Sequence, residues 1–179
     1  MEGLRKSIAD LSKQMLEQFN SEFAKINKNF EIIFKELFGG GKGQLVILPP
    51  EEGQSQLAAG IEILAEPPGK KLQSITLMSG GEMAHTAIAI LFAILRLKAM
   101  PFCVLDEIEA ALDDANVGLF AQYLKRFSDE TQFIVITHRK PTMELADRLY
   151  GVTMQEKGVS KVVAVNLSDA VKSADSDKQ

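Results

Sequence analysis

Apolar residues recur at Leu4, Ile8, Leu11, Met15, Phe19, Phe23, Ile26, Phe30, Ile33 and Leu37. Steps of three and four predict one helix carrying a single apolar stripe. No proline or glycine interrupts it after Gly3. Three successive steps of four between Leu11 and Phe23 break a strict heptad, so a coiled-coil seam is expected to run into globular packing. At about 1.5 Å per residue such a helix reaches roughly 50 Å, more than a small domain covers, and part of the stripe therefore needs a partner helix. Gly39-Gly40-Gly41 ends it, as glycines past the last periodic residue do.

The pattern then shortens. Residues 45–48 and 61–64 read as strands separated by a polar loop with Pro49-Pro50, and Pro67-Pro68-Gly69 marks a turn. Residues 82–98 predict a helix apolar nearly all round, hence central. Residues 102–105 and 133–136 are continuous apolar runs, the pattern of parallel strands covered on both faces. A helix over residues 115–127 would complete a right-handed βαβ unit. Beyond Pro141 come a short helix and two further strands, 149–154 and 161–165. No internal repeat is visible, and residues 168–179 read as a polar, frayed tail.

Composition narrows the classes. A chain of 179 residues with 46% hydrophobic and 25% charged residues is ordinary for one soluble globular domain. A net charge of −4 gives no whole-chain reason for nucleic-acid binding, although a local basic patch remains open. The longest apolar block, residues 87–95, is too short to span a bilayer and nothing reads as a signal peptide, so no membrane partner is expected. The single cysteine, Cys103, reads as a buried small hydrophobe, and a reducing cytoplasm is the default.

Glycines 39–41 with Lys42 suggest a phosphate-cradling loop, but the pattern fails. That loop needs a glycine, four residues, then Gly-Lys-Ser/Thr between a strand and a helix. Here Glu36 stands at the first position, Gly43 follows Lys42, and the flanks are reversed. Better chemistry lies further on. If the runs before Asp106-Glu107 and His138 are parallel strands, all three residues emerge at one carboxyl edge, where open α/β sheets bind ligands. One carboxylate could hold hydrated magnesium while the next orients and deprotonates a water; taken without His138, the two acids could equally just start a solvated loop. Ser79-Gly80-Gly81-Glu82 reads as a capping box ahead of an apolar helix. Its two glycines and hydroxyl also make it an anion-receptive helix start.

Those motifs carry a resemblance. Ser79-Gly80-Gly81-Glu82 resembles the signature motif of ABC-type ATPases, the run ending in Asp106-Glu107 their Walker B, and Ala111-Leu112-Asp113 their D-loop. Residues 101–117 (PFCVLDEIEAALDDANV) and 136–143 (ITHRKPTM) most resemble bacterial SMC chromosome-partition proteins. ELFGGGK at 36–42, LYGVTM at 149–154 and residues 159–161 fit the same family. The likeness covers about residues 15–167 and implies an α/β fold: the C-terminal half of an ABC-type (P-loop NTPase-like) head. Residues 1–37 would be a returning coiled-coil stub and neck helix, residues 38–167 that lobe, and residues 168–179 a disordered tail. Gly39–Gly43 would then be a turn, with the true phosphate loop on an N-terminal head lobe elsewhere.

The resemblance also implies roles and partners. Asp106 would bind Mg2+ through water, Glu107 would polarise the hydrolytic water, and His138 would contact the γ-phosphate of ATP. Ser79, Gly80, Gly81 and Glu82 would meet ATP held on a second SMC head, with Asp113 across that interface, in an ATP-dependent homodimer. A kleisin subunit's winged-helix domain would dock on the final strands, around residues 149–165. DNA would pass over the engaged heads of a cytoplasmic, nucleoid-associated ATPase that is inactive as this chain alone. Departures from the family pattern are Met83, His85 and Glu109; His85 is expected as a partly exposed residue of the capping turn. Competing readings are a coiled-coil ABC ATPase of DNA repair, a transporter subunit, which the missing phosphate loop disfavours, and a catalytically incomplete kleisin-binding module.

Overall fold

The computed structural model describes residues 2–52, 55–98 and 100–166, so the tail expected over residues 168–179 lies outside it. The first helix, α1, runs Glu2–Leu37. Its stripe divides as the length argument requires. Leu4, Ile8, Leu11 and Met15 are 56–70% exposed, whereas Phe30, Ile33, Phe34 and Leu37 are fully buried against α2 (Gly80–Leu97) and β1 (Lys42–Ile47). Phe30 meets Phe34 edge-on, and Phe34 stacks on Phe38 at 4.1 Å. The helix stops because Gly39, Gly40 and Gly41 all adopt positive φ, with the Gly40 N–H closing onto the Lys35 carbonyl at 2.9 Å.

Strand β1 pairs antiparallel with β2 (Ile61–Glu66), which pairs with β3 (Gln73–Ser74). Lys42 lies opposite Glu66 in this register, so the glycine run is a turn into an antiparallel strand. Gly43 lies flat on Phe30, whose ring a Cβ would meet at 2.8 Å. Helix α2 is long and apolar enough, by length and composition, to cross a membrane. It is packed instead as the core helix, with Ile88, Ala89, Phe92, Ala93 and Leu95 buried. Phe92 touches Phe120, Tyr123 and Phe127 of α3 (Asp114–Phe127).

Strands β4 (Phe102–Asp106) and β5 (Gln132–Ile136) pair in parallel, joined by α3. The expectation that both faces are covered is corrected. Cys103, Leu105, Phe133 and Val135 face the core, but Phe102, Val104, Ile134 and Ile136 are 49–59% exposed. Alternation along each strand sends the second set to the other face, and no described element lies on it. A short helix α4 (Lys140–Glu144), with Pro141 in its first turn, leads to the hairpin β6 (Arg148–Glu156) and β7 (Val159–Asn166).

Candidate functional site

Parallel pairing puts the ends of β4 and β5 side by side, with Asp106 in register with Ile136. The Glu107 N–H donates to the Ile136 carbonyl at 2.9 Å, and the Ala110 N–H turns back onto the Glu107 carbonyl at 3.0 Å. Pinned between these bonds, Glu107 holds φ 46°, a left-handed conformation unique among the described non-glycine residues. That conformation costs about 1–2 kcal/mol and persists only where its surroundings fix it. It aims the side chain across the strand gap, where Glu107 Oε1 lies 3.2 Å from His138 Nδ1. Asp106, Glu107 and His138 are all exposed. The structure thus brings a carboxylate and an imidazole from two loops together, with a second carboxylate beside them. Among the described residues no cluster of three or more acidic, histidine or cysteine side chains could cage a metal. Asp106 suits only a cation that keeps most of its waters and leans on a substrate phosphate, which is the habit of magnesium.

The second constellation is the start of α2. Ser79 caps it, and the Ser79 and Glu82 side chains and backbones reciprocate in a full capping box. Ser79 Oγ donates to Glu82 Oε2 at 2.8 Å, and Lys70 Nζ sits 2.8 Å from Glu82 Oε1. The Lys70 bond, then the Ser79 hydroxyl, hold the Glu82 carboxyl below its usual range. Gly80 has open space where a Cβ would stand, whereas one on Gly81 would lie 3.1 Å from the Ala111 carbonyl. The helix tip therefore abuts the loop that ends in Asp113, which caps α3 by accepting the Asn116 N–H at 2.9 Å. The start of α2 and the loop carrying Asp113 are thus brought together, through Gly81 and Ala111. No hydrogen bond or ion pair among the described residues joins them to Asp106, Glu107 or His138.

One expectation on α2 is reversed. His85 is 2% exposed, stacked on Phe38 with ring centroids 4.3 Å apart, and its Nε2 has no hydrogen-bond partner among the described residues. It is a core residue rather than a half-exposed one. Burial pulls its pKa below the usual 6.5, opposed by the charge of Asp113. The unfolded chain then takes up a proton near pH 6.5 that the folded chain refuses, so stability is full above that pH and falls as the pH drops below it. Urea unfolding at pH 7 and 5.5 is expected to show that loss in the wild type, at no more than about 1.4 kcal/mol per pH unit, and to lose that component in His85→Leu. Equal pH slopes in the two proteins would refute the assignment.

Sequence reasoning saw Glu109 only as a departure and passed over Arg139. Arg139 Nη2 bonds Asp114 Oδ1 at 2.7 Å and the Leu112 carbonyl at 3.3 Å, tying the loop after β5 to the start of α3. No local signal marked Glu109, whose hydrogen-bond partners lie 28 and 33 residues further along the chain.

A family model described as the RecF/RecN/SMC N terminal domain matches residues 6–161. The chain belongs to the SMC family. It is 57% identical over 162 residues to the chromosome partition protein Smc of Bacillus subtilis, and 57% identical over 166 residues to that of Desulfitobacterium hafniense. Those alignments take in 90% and 93% of this chain, which spans only 13–14% of the length of these relatives. An SMC head from Pyrococcus furiosus, crystallised with an extended coiled coil and the C-terminal domain of ScpA, superposes with a TM-score of 0.84 at 42% identity. That match covers 99% of this chain and 44% of the other. A chain from a structural study of ATP-driven dimerization in SMC ATPases gives 0.74 at 43% identity, covering 91% and 97%. The fold is therefore the α/β fold of SMC ATPase heads. The expectation that this chain is the C-terminal half of such a head, supplying the functions of that half, is overturned. The matching model is that of the SMC N terminal domain, and the curated relatives are matched over only a small part of their length.

Proposed function

We propose that this chain is a segment of an SMC ATPase head that contributes the hydrolytic acid and a phosphate-receptive helix tip to a composite ATP site. The observation that carries the reading is the 3.2 Å contact between Glu107 and His138 at the carboxyl edge of a parallel strand pair. Glu107 orients a water and takes its proton, His138 donates toward the terminal phosphate, and Asp106 holds the hydrated magnesium that accompanies the nucleotide. When bound, that ion neutralises charge developing on the phosphates. The triphosphate itself is gripped by another polypeptide segment, because no Gly-x4-Gly-Lys-Ser/Thr stretch occurs in this chain. The uncovered apolar face of β4 and β5 supports this, since parallel strands are normally covered on both sides. Phe102 and Val104 share the exposed face of β4 with Asp106, so one docking event would both cover the face and complete the site.

The capped start of α2, with Gly80 open to solvent, faces a second head, and ATP held there bridges the two across Ser79, Gly80 and Gly81 with Asp113 alongside. Residues 1–37 pair with a coiled-coil partner through the exposed part of the α1 stripe. Two solved SMC heads are bound to domains of ScpA, and the exposed apolar residues of β6 and β7, including Tyr150, Val152 and Val162, suit docking of such a kleisin. The assembled protein acts on DNA in the cytoplasm. The test mixes this chain with the segment of its own protein bearing the phosphate loop and follows ATP hydrolysis, with Ser79 intact and as Ser79→Arg. The mixture should hydrolyse ATP and Ser79→Arg should abolish it. Hydrolysis by this chain alone, or a mixture indifferent to Ser79→Arg, would refute the composite site.

A further inference from the structure

We infer that Glu109 is a positioning residue, a buried brace that locks the His138 loop onto the Glu107 loop; the inference rests on the reading of Glu107 and His138 given above. Glu109 is 0% exposed, whereas the three residues offered as chemistry are exposed. Its Oε1 accepts two hydroxyls, from Thr137 at 2.6 Å and from Thr142 at 3.1 Å. These threonines bracket His138, one immediately before it and the other in the following helix α4. Thr137 Oγ1 in turn accepts the Arg139 N–H at 3.0 Å, closing a side-chain turn directly over His138. A single carboxylate oxygen thus fixes the segment on both sides of the histidine.

The brace lies two residues beyond Glu107 on the same tight loop, where the Ala110 and Leu112 N–H groups close onto the Glu107 and Glu109 carbonyls at 3.0 Å. Anything that displaces Glu109 displaces the left-handed turn that aims Glu107. The Glu107–His138 contact itself is between exposed side chains, and exposed pairs do not hold two loops in place. A carboxylate accepting hydroxyl protons out of water can do so, because charge-assisted bonds are short and buried ones are costly to break. Glu109 Oε2 is buried with no partner among the described residues, so the brace uses only one of the two oxygens. An amide should therefore serve nearly as well: Gln can offer its oxygen to both threonines and leave its NH2 on the unpartnered side.

The test uses this chain for geometry and the reconstituted head for turnover. In Glu109→Ala, the His138 ring resonances are expected to move to those of a freely rotating histidine, and Arg139 amide exchange to accelerate at least about tenfold, while the amides of α2 and β1–β3 keep their protection. In the head, kcat should fall by about tenfold or more with little change in KM, as for a misplaced group. Glu109→Gln should restore both readouts. Thr137→Val, which removes one donor and leaves the carboxylate in place, serves if the alanine variant fails to fold, and should give the same His138 shift. Unchanged His138 resonances and Arg139 exchange in Glu109→Ala or Thr137→Val would overturn the brace, whether or not the head hydrolyses ATP. Loss of turnover in the parent mixture would instead refute the ATPase reading and leave the nuclear resonance result to decide the brace.

Discussion

Glu107→Gln is expected to stop ATP turnover in the reconstituted head while leaving ATP-dependent association of heads intact. The substitution keeps volume and shape, so it does not disturb the left-handed backbone at Glu107, which the Ile136 and Ala110 bonds hold independently of the side chain. It also keeps an oxygen or an amide within reach of His138 Nδ1, now 3.2 Å from the carboxylate. What disappears is basicity. A positioned general base contributes about 10²- to 10⁴-fold to a rate, and kcat should fall by that order. Nucleotide binding, gripped elsewhere, should persist. Steady-state phosphate release together with light scattering in the presence of ATP checks both halves. Turnover within about twofold of the parent would remove Glu107 from the base role, since a loss that small lies far below the range expected of a base.

Gly41→Ala is expected to destabilise the fold strongly, although the glycine lies in the stretch that first looked functional. Gly41 sits at φ 79°, and a Cβ there would overlap the Glu66 carbonyl oxygen across the strand pair and press on the Phe34 ring. Left-handed strain costs about 1–2 kcal/mol and forced overpacking about 1–3 kcal/mol more. A loss of about 2–5 kcal/mol follows, a large share of the stability of a domain this size. Gly80→Ala is the contrast. Nothing lies within 4 Å of a Cβ there, so unfolding free energy should move by no more than about 0.5 kcal/mol. In the reconstituted head, however, the added methyl stands over the amides offered to ATP and should weaken ATP-driven association. Denaturant unfolding of both variants separates the two glycines. A stable Gly41→Ala would mean that the turn is not held as described.

The order and type of the elements were legible in the sequence because they rest on local periodicity. The stripe from Leu4 to Leu37 demands one helix, and the helix is found over Glu2–Leu37. Apolar runs ahead of Asp106 and His138 demand strands, and the strands lie where expected and pair in parallel. The capping box at Ser79 and Glu82 is a four-residue signal and appears intact. The division of α1 also follows from length, since a helix that long outruns a small domain, and Leu4 to Met15 are left exposed.

Tertiary structure decided the rest. A continuous apolar run such as residues 102–105 reads the same whether one face or both are covered, because coverage depends on what packs against the strand, including segments not on this chain. His85 follows a capping turn, which suggests exposure; its burial is set by Phe38 arriving from beyond the end of α1. Glu109 is separated by 28 residues from Thr137 and by 33 from Thr142, and no local pattern links positions that far apart. Sequence alone determined which backbone segments form, since the apolar periodicity that selects helix or strand is a property of neighbours along the chain. Only the folded chain determined which polar groups lose water together, since that depends on distances through space.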